Sequence, residues 1–292
     1  MTARALIARL DAYERLVRLD KPVGILLLLW PTLWGLWLAA GGLPDLLVLW
    51  VFVLGTVLTR SAGCAVNDWA DRGFDGAVKR TQARPLAAGE IAPWEALAVA
   101  AVLALAAFAI TVATLNALAV WLAVLSAVLA AIYPFTKRFL AMPQAWLGAC
   151  FGLGIPMAFA AVRGEVPALA WALWGANLFW VLAYDTVYAM VDRDDDQAIG
   201  IHTSALLFGR HDLAAVYLCH AAFVGALAAI GIWQGHGVAY YAGVACAAAL
   251  ALRDLPLVRS RSREACFRAF RRAHGMGAAV FLGIVADALL RP

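Results

Sequence analysis

Residues Leu46–Asp75 read LLVLWVFVLGTVLTRSAGCAVNDWADRGFD. The first part, Leu46–Val66, is apolar for about 20 residues, the length that crosses a bilayer as a helix. A single strand of that kind would leave its backbone groups unpaired in lipid, so helix is the state to expect. Four potential oxygen ligands follow at once: Asn67, Asp68, Asp71 and Asp75. A carboxylate is costly at the margin of a membrane span, so acids gathered there mark a site. The pattern recurs once. Apolar residues Ala168–Met190 carry Asp185 and run into Asp192, Asp194, Asp195 and Asp196.

The rest of the chain is equally apolar. Hydrophobic residues make up 64% and charged ones 14%, with a mean hydropathy of +0.81, against about one quarter charged in soluble domains. Besides the two stretches above, membrane-length runs occupy Val23–Ala40, Pro93–Ala113, Ala117–Phe135, Gln144–Val162, Leu213–Trp233, Val238–Leu252 and Gly275–Leu290. The expected fold is therefore all-α: a polytopic bundle of nine transmembrane helices forming one domain over residues 1–292. Pro156 is expected to kink the fifth span. Residues 1–21 lack the apolar core of a cleavable signal peptide. Ala5, Leu6, Leu10, Tyr13, Leu16 and Val17 recur at helical spacing, so this leader is expected to lie on the membrane surface as an amphipathic helix. The five cysteines have neither paired nor metal-binding spacing and read as small apolar residues.

Nine alternating spans place 21 of the 23 Lys and Arg residues on one side, leaving Arg163 and Arg291 opposite. By the positive-inside rule the basic side is cytoplasmic. The N-terminus and both acidic segments, residues 67–92 and 191–212, then share the cytoplasmic face of a bacterial inner membrane. The basic stretch Arg253–Arg272 is expected to rest against anionic headgroups. No nucleic-acid partner is expected.

At about 100° per helical residue, Asn67, Asp71 and Asp75 fall along one face, with Asp68 within the same arc. Asp185, Asp192 and Asp196 also share a face, while Asp194 points away into solvent. Like charges this close repel unless a cation neutralises them, and hard oxygen ligands without His or Cys suit magnesium. Arg72, Lys79, Arg80 and Arg84 stand beside the first cluster, Arg193 beside the second, and Lys137 and Arg138 end the fourth span on the same side. Carboxylates, a divalent ion and bases together make a diphosphate site. A lone Asp-x-x-x-Asp would read as solvated loop charge. Two such clusters on one side of the membrane favour a site.

NDWADRGFDGAVKRTQARPL from Asn67 resembles the N-D-x-x-D-x-x-x-D signature of the UbiA-type intramembrane prenyltransferases. YDTVYAMVDRDDDQAIGIHTSALLFG from Tyr184 resembles that family's second acidic motif, and Tyr133-Pro-Phe-Thr-Lys137 its Y-x-x-x-K element. LDKPVGILLLLWPTLWGLW, IPMAFAAV at Ile155–Val162 and REACFRAF at Arg263–Phe270 are similar to the bacterial 4-hydroxybenzoate polyprenyltransferase branch. The resemblance implies a bundle around a central cavity and magnesium-dependent transfer of a polyprenyl group from its diphosphate to 4-hydroxybenzoate, in ubiquinone biosynthesis. It implies Asn67, Asp71, Asp75, Asp192 and Asp196 as metal-side ligands, supported by Asp68 and Asp185. Lys137, Arg138 and Arg72 would grip the diphosphate, with Tyr133 in the substrate site. Arg18, Lys21 and Arg60 are candidates for the acceptor carboxylate, and no spacing singles one out.

The chemistry expected is departure of diphosphate to leave an allylic cation, attack by the ring carbon ortho to the phenol oxygen, and loss of the ring proton. Water must be kept out or the cation becomes a polyprenol. Trp30, Trp34 and Phe179 could wall off that cation, although packing is the commoner role for such residues. The competing readings are another aromatic acceptor on the same fold and a cation-coupled transporter. Transporter ion sites usually lie near the bilayer midplane, whereas these clusters lie at one surface.

Overall fold

The computed structural model describes residues 3–291, apart from the side chains of residues 3 and 5. Met1, Thr2, Pro292 and the side chain of Ala5, all within the expected domain or leader, lie outside the described residues. Among the described residues there is no strand, and helices account for every span expected from hydropathy. They are α1 (Ala3–Leu16), α2 (Val23–Ala40), α3 (Leu46–Asp71), α4 (Pro93–Thr114), α5 (Ala117–Thr136), α6 (Pro143–Gly152) and α7 (Gly154–Arg163). After these come α8 (Ala168–Val191), α9 (Arg193–Ile199), α10 (Ser204–Phe208), α11 (Asp212–Trp233), α12 (Val238–Arg259), α13 (Arg263–Arg272) and α14 (His274–Leu290).

Helix ends are fixed by local chemistry. The Asp45 carboxylate accepts from the Leu47 and Val48 amides at 2.9 and 3.1 Å and so starts α3, satisfying two of its orphan donors. At the end of α2, Gly41 takes φ 70°, and Arg163 donates to the Ala39 and Leu38 carbonyls at 2.7 and 2.9 Å. The fifth span is two helices. It breaks at Leu153, because Pro156 has no amide to offer the Gly152 carbonyl one turn back. The two halves are held by other helices: Trp174 donates to the Ala149 carbonyl of α6 at 3.1 Å, and Asn116 to the Ala160 carbonyl of α7 at 2.6 Å.

Eight of the nine spans are long and apolar enough to cross a membrane on composition alone, with α6 and α7 counted together. The chain is a multi-pass membrane protein. The ninth, α8, carries Asn177, Tyr184, Asp185 and Thr186, and it is the centre of the bundle: 16 of its 24 residues are buried. A helix walled by other helices has no lipid to satisfy, which is why the most polar span holds the middle position. Around it, Trp34 of α2, Trp180 of α8 and Phe223 of α11 stack at centroid distances of 5.4–6.0 Å. The Trp34 indole donates to the Gly277 carbonyl of α14 at 2.9 Å. Packing is thus the role of Trp34, while Trp30 leans on Phe281 and Phe179 is 38% exposed.

α12 and α14 cross in near backbone contact. A Cβ at Gly243 would sit 2.7 Å from both the Ala279 carbonyl oxygen and the Gly283 Cα. Neither is a flexible side-chain end, so Gly243→Val must push the helices apart. Overpacking of this kind costs about 1–3 kcal/mol. The expected result is a melting temperature in detergent lowered by several degrees, with Gly225→Val, where a Cβ meets open space, as the unaffected control.

α1 docks on the α3–α4 end of the bundle. Arg9 and Tyr13 both hold Glu95, and Arg15 holds Glu90. Leu16 and Val17 are buried there, while Leu6, Ile7 and Leu10 face outward at 49%, 67% and 59% exposure. That outward apolar face is what an in-plane helix needs.

Candidate active site

Both acidic segments lie at one end of the bundle, and each is built differently from a continuous helix. α3 does carry Asn67, Asp68 and Asp71, but it ends there. Arg72–Phe74 turn the chain into a 3-10 turn at Asp75–Ala77. Likewise α8 stops at Val191, Asp192 forms the joint, and Asp196 sits on the separate helix α9. The helical extrapolation to Asp75 and Asp196 is therefore corrected. The breaks, not one helix face, aim these carboxylates.

The result is a cleft of about 470 Å³ including its open mouth, walled by Asp71 and Asp75 on one side and Asp192 and Asp196 on the other. Arg80, Arg84, Lys137 and Arg138 line it too, so four acids alternate with four bases. Lys137 Nζ lies 2.7 Å from Asp71 Oδ2, and the Asn67 amide donates to the same oxygen at 3.0 Å. The Lys137 ammonium stands 5.8 Å from the Tyr133 ring centroid, and the Lys137 carbonyl accepts from the His202 amide at 2.9 Å. That bond ties the end of α5 to the segment after α9. Arg84 Nη1 donates to both oxygens of Asp75, at 3.0 and 2.9 Å. Arg80 instead brings two nitrogens, Nε and Nη2, to a single oxygen of Asp192, at 2.8 and 2.6 Å, with its guanidinium 4.6 Å over Tyr188.

Several expected residues stand elsewhere. Asp68 is fully buried behind the cleft, held by Arg18 at 2.6 Å and by Arg84 at 3.1 Å. Arg18 is thus engaged with an acid, on a left-handed backbone at φ 60°. Lys21 is 71% exposed and pairs with Asp20. Arg72 points outward over Trp69 and donates to the Trp69 carbonyl at 2.6 Å. Adjacent helical residues diverge by about 100°, so Arg72 cannot face where Asp71 faces. Asp185 is buried in α8 and does not line the cleft. Asp194 is exposed, as its position in the sequence implies. Arg138 does line the cleft and donates to the Ala70 carbonyl at 2.9 Å. From the sequence, Arg80 and Arg84 are expected only among the bases that stand beside the first cluster and suit a diphosphate. Their hydrogen bonds to Asp192 and Asp75 make them the principal partners of the acids.

Among the described residues, no three His, Cys, Asp or Glu side chains are gathered closely enough to hold a metal, because a base stands against Asp71, Asp75 and Asp192 in turn. Two observations nevertheless fit a hard divalent cation. Asp192 Oδ1 is buried without a hydrogen-bond partner among the described residues. Asp196 is 7% exposed and has no ion pair among the described residues; burial, then the neighbouring Asp192 charge, pushes its carboxyl up to about 7. Burial also raises Asp75, against the pull of Arg84. Such acids need a positive partner before they can stay charged.

Residues 28–282 match the UbiA prenyltransferase family. The chain belongs to that family. Among its bacterial members, a Cupriavidus necator protein named 4-hydroxybenzoate octaprenyltransferase is 60% identical over 278 residues, covering 95% of this chain and 97% of that protein. One of the same name from Nitrosospira multiformis is 59% identical over 98% of each chain. Of solved structures, the apo UbiA homologue from Aeropyrum pernix superposes with a TM-score of 0.80 at 27% identity, over 90% of this chain and 97% of that one. The Archaeoglobus fulgidus homologue bound to GPP and Mg2+ does so at 0.73 with 19% identity, over 94% and 99%; it shares the UbiA fold.

Proposed function

We propose that this protein transfers a polyprenyl group from polyprenyl diphosphate to the ring carbon of 4-hydroxybenzoate ortho to its hydroxyl, in ubiquinone biosynthesis. The observation that carries the reading is full-length identity near 60% to proteins named for that reaction, in a chain whose acids and bases line one cleft. Lys137, Arg80, Arg84 and Arg138 bind the diphosphate oxygens, the first three thereby freeing the carboxylates they now pair with. Asp71, Asp75, Asp192 and Asp196 would hold magnesium, with Asn67 fixing Asp71. When bound, magnesium neutralises charge on the departing diphosphate. Tyr133 lies under the Lys137 ammonium and steadies it. Asp68 orders the cleft floor through Arg84 and Arg18 rather than meeting the ion.

For the acceptor, Arg60 is favoured over Arg18 and Lys21. It sits inside α3, and its Nε is buried without a partner. Gly24 of α2 makes room for it, since a Cβ there would meet the guanidinium at 2.7 Å. Arg60 Nη1 donates to Cys64 Sγ at 2.6 Å, but Arg60 has no ion pair among the described residues; a cation without a counter-charge inside a bundle is a functional residue by default, and an aromatic carboxylate is a fitting partner. Residues 67–92 and 191–212 are the active-site segments of a single domain, and the basic end faces the cytoplasm of a bacterial inner membrane by the charge bias of its loops.

The test is purified protein with magnesium, a labelled prenyl diphosphate and a panel of aromatic acids, with products identified by mass. Prenylated 4-hydroxybenzoate is expected; a product from another acid alone would transfer the reading to that acceptor. The pH dependence follows from Asp196. A carboxyl titrating near 7 binds a proton below that pH and a cation above it. The magnesium concentration for half-maximal activity should thus rise about tenfold from pH 8 to pH 6, roughly fivefold of it between pH 7 and pH 6, and level off above pH 8. Asp196→Asn should flatten that dependence as well as weaken activation.

A further inference from the structure

We infer that the α12–α13 connection, through Arg263, is a positioning element of the active site, acting on Asp195. Arg263 opens α13, yet its guanidinium reaches α9 as a fork, with Nη1 2.7 Å from Asp195 Oδ2 and Nη2 3.3 Å from Oδ1. The same carboxylate accepts the Lys79 amide at 3.2 Å, and next to Lys79, Arg80 forks onto Asp192. Asp195 therefore joins three connections that are remote in sequence. A second contact runs in parallel: Arg193 of α9 and Arg261 both grip the fully buried Asp212, with Arg261 Nη2 at 2.6 Å. Arg261 reaches it from a left-handed backbone at φ 53°, a conformation that L residues adopt only where surroundings impose it.

α9 has seven residues, too few to hold a helix by its own hydrogen bonds. Where Asp196 stands in the cleft thus depends on what seats α9, and on its outer side that is Arg263 directly, together with Asp212, which Arg261 holds in place for Arg193. Asp195 itself faces away from the cleft, which makes it a hinge pin and not a ligand. The Arg263 and Asp195 side chains are 30% and 20% exposed, so the pair adds little to global stability. A small displacement of a reacting group, by contrast, is expensive in rate. A large kinetic effect with a small thermal one is the signature of positioning.

This inference rests on the transferase reading above. Arg263→Gln and Asp195→Asn should each raise KM for the prenyl diphosphate by about tenfold, leave KM for the aromatic acid within twofold, and barely move the melting temperature. The double variant should be no worse than either single one, because both remove the same contact, and Arg263→Lys should recover part of the loss. Unchanged KM in the single variants, or additive effects in the double, would overturn the assignment. Wild-type protein that forms no prenylated product would instead overturn the transferase reading, so the two failures are distinguishable.

Discussion

Asp192→Asn is expected to lower kcat/KM about 10³-fold while leaving the bundle folded. Asparagine keeps the shape and still accepts from Arg80, so the joint between α8 and α9 survives. What disappears is a full negative charge, together with the buried oxygen that has no partner among the described residues. Charge stabilisation by a fixed group in a water-poor site is commonly worth about 3–4 kcal/mol at the transition state, or roughly two to three powers of ten in rate. Loss of a second quantity sharpens the test: the apparent magnesium affinity should fall alongside, whereas the KM for 4-hydroxybenzoate should not. Asp194→Asn is the matched control, two residues away and exposed to solvent, and it should retain full activity. Turnover by Asp192→Asn within tenfold of the wild type would remove Asp192 from the catalytic set.

The spans were legible because lipid is an undiscriminating solvent. Any run of apolar residues long enough to cross must be helical, so α2 begins and ends where hydropathy does. α3 runs five residues further than its apolar stretch, to Asp71: backbone hydrogen bonds continue after the side chains turn polar, and hydropathy cannot sense them. The kinds of group in the site were legible for a related reason, since acids and bases at a membrane margin are few. Their pairing was not. Asp68 and Asp71 are equally acidic on paper, but three residues of helix send one behind the cleft to Arg18 and the other into it beside Lys137. The family resemblance implies Arg72 as a diphosphate ligand, but it faces outward over Trp69, while Arg80 and Arg84, farther along the chain, are brought back by the turns after Asp75. Arg263 illustrates the limit. Its partner lies 68 residues away, and only the folded chain puts them together.

Arg60→Leu should raise KM for 4-hydroxybenzoate by roughly 30- to 1,000-fold, corresponding to about 2–4 kcal/mol for a charged hydrogen-bonded pair lost from a buried site. The KM for the prenyl diphosphate should stay within threefold, because the cleft bases and Arg60 serve opposite ends of the reaction. Leucine fills the stem volume without the charge, so it also relieves the cost of a guanidinium that has no counter-charge in the bundle, and the variant should fold at least as well as the wild type. Arg60→Lys keeps the charge but not the planar fork that meets a carboxylate with two hydrogen bonds, and it should fall between the two. Acceptor analogues give the discriminating measurement. Against a phenol that lacks the carboxylate, the wild type should lose most of its advantage over Arg60→Leu, since the group that Arg60 reads is gone. If the variant still preferred 4-hydroxybenzoate over that phenol by the wild-type margin, the carboxylate would have to be read elsewhere, and Arg60 would be left as a cation enclosed between Gly24 and Phe151 that donates to the Cys64 sulfur and has no carboxylate to account for its charge.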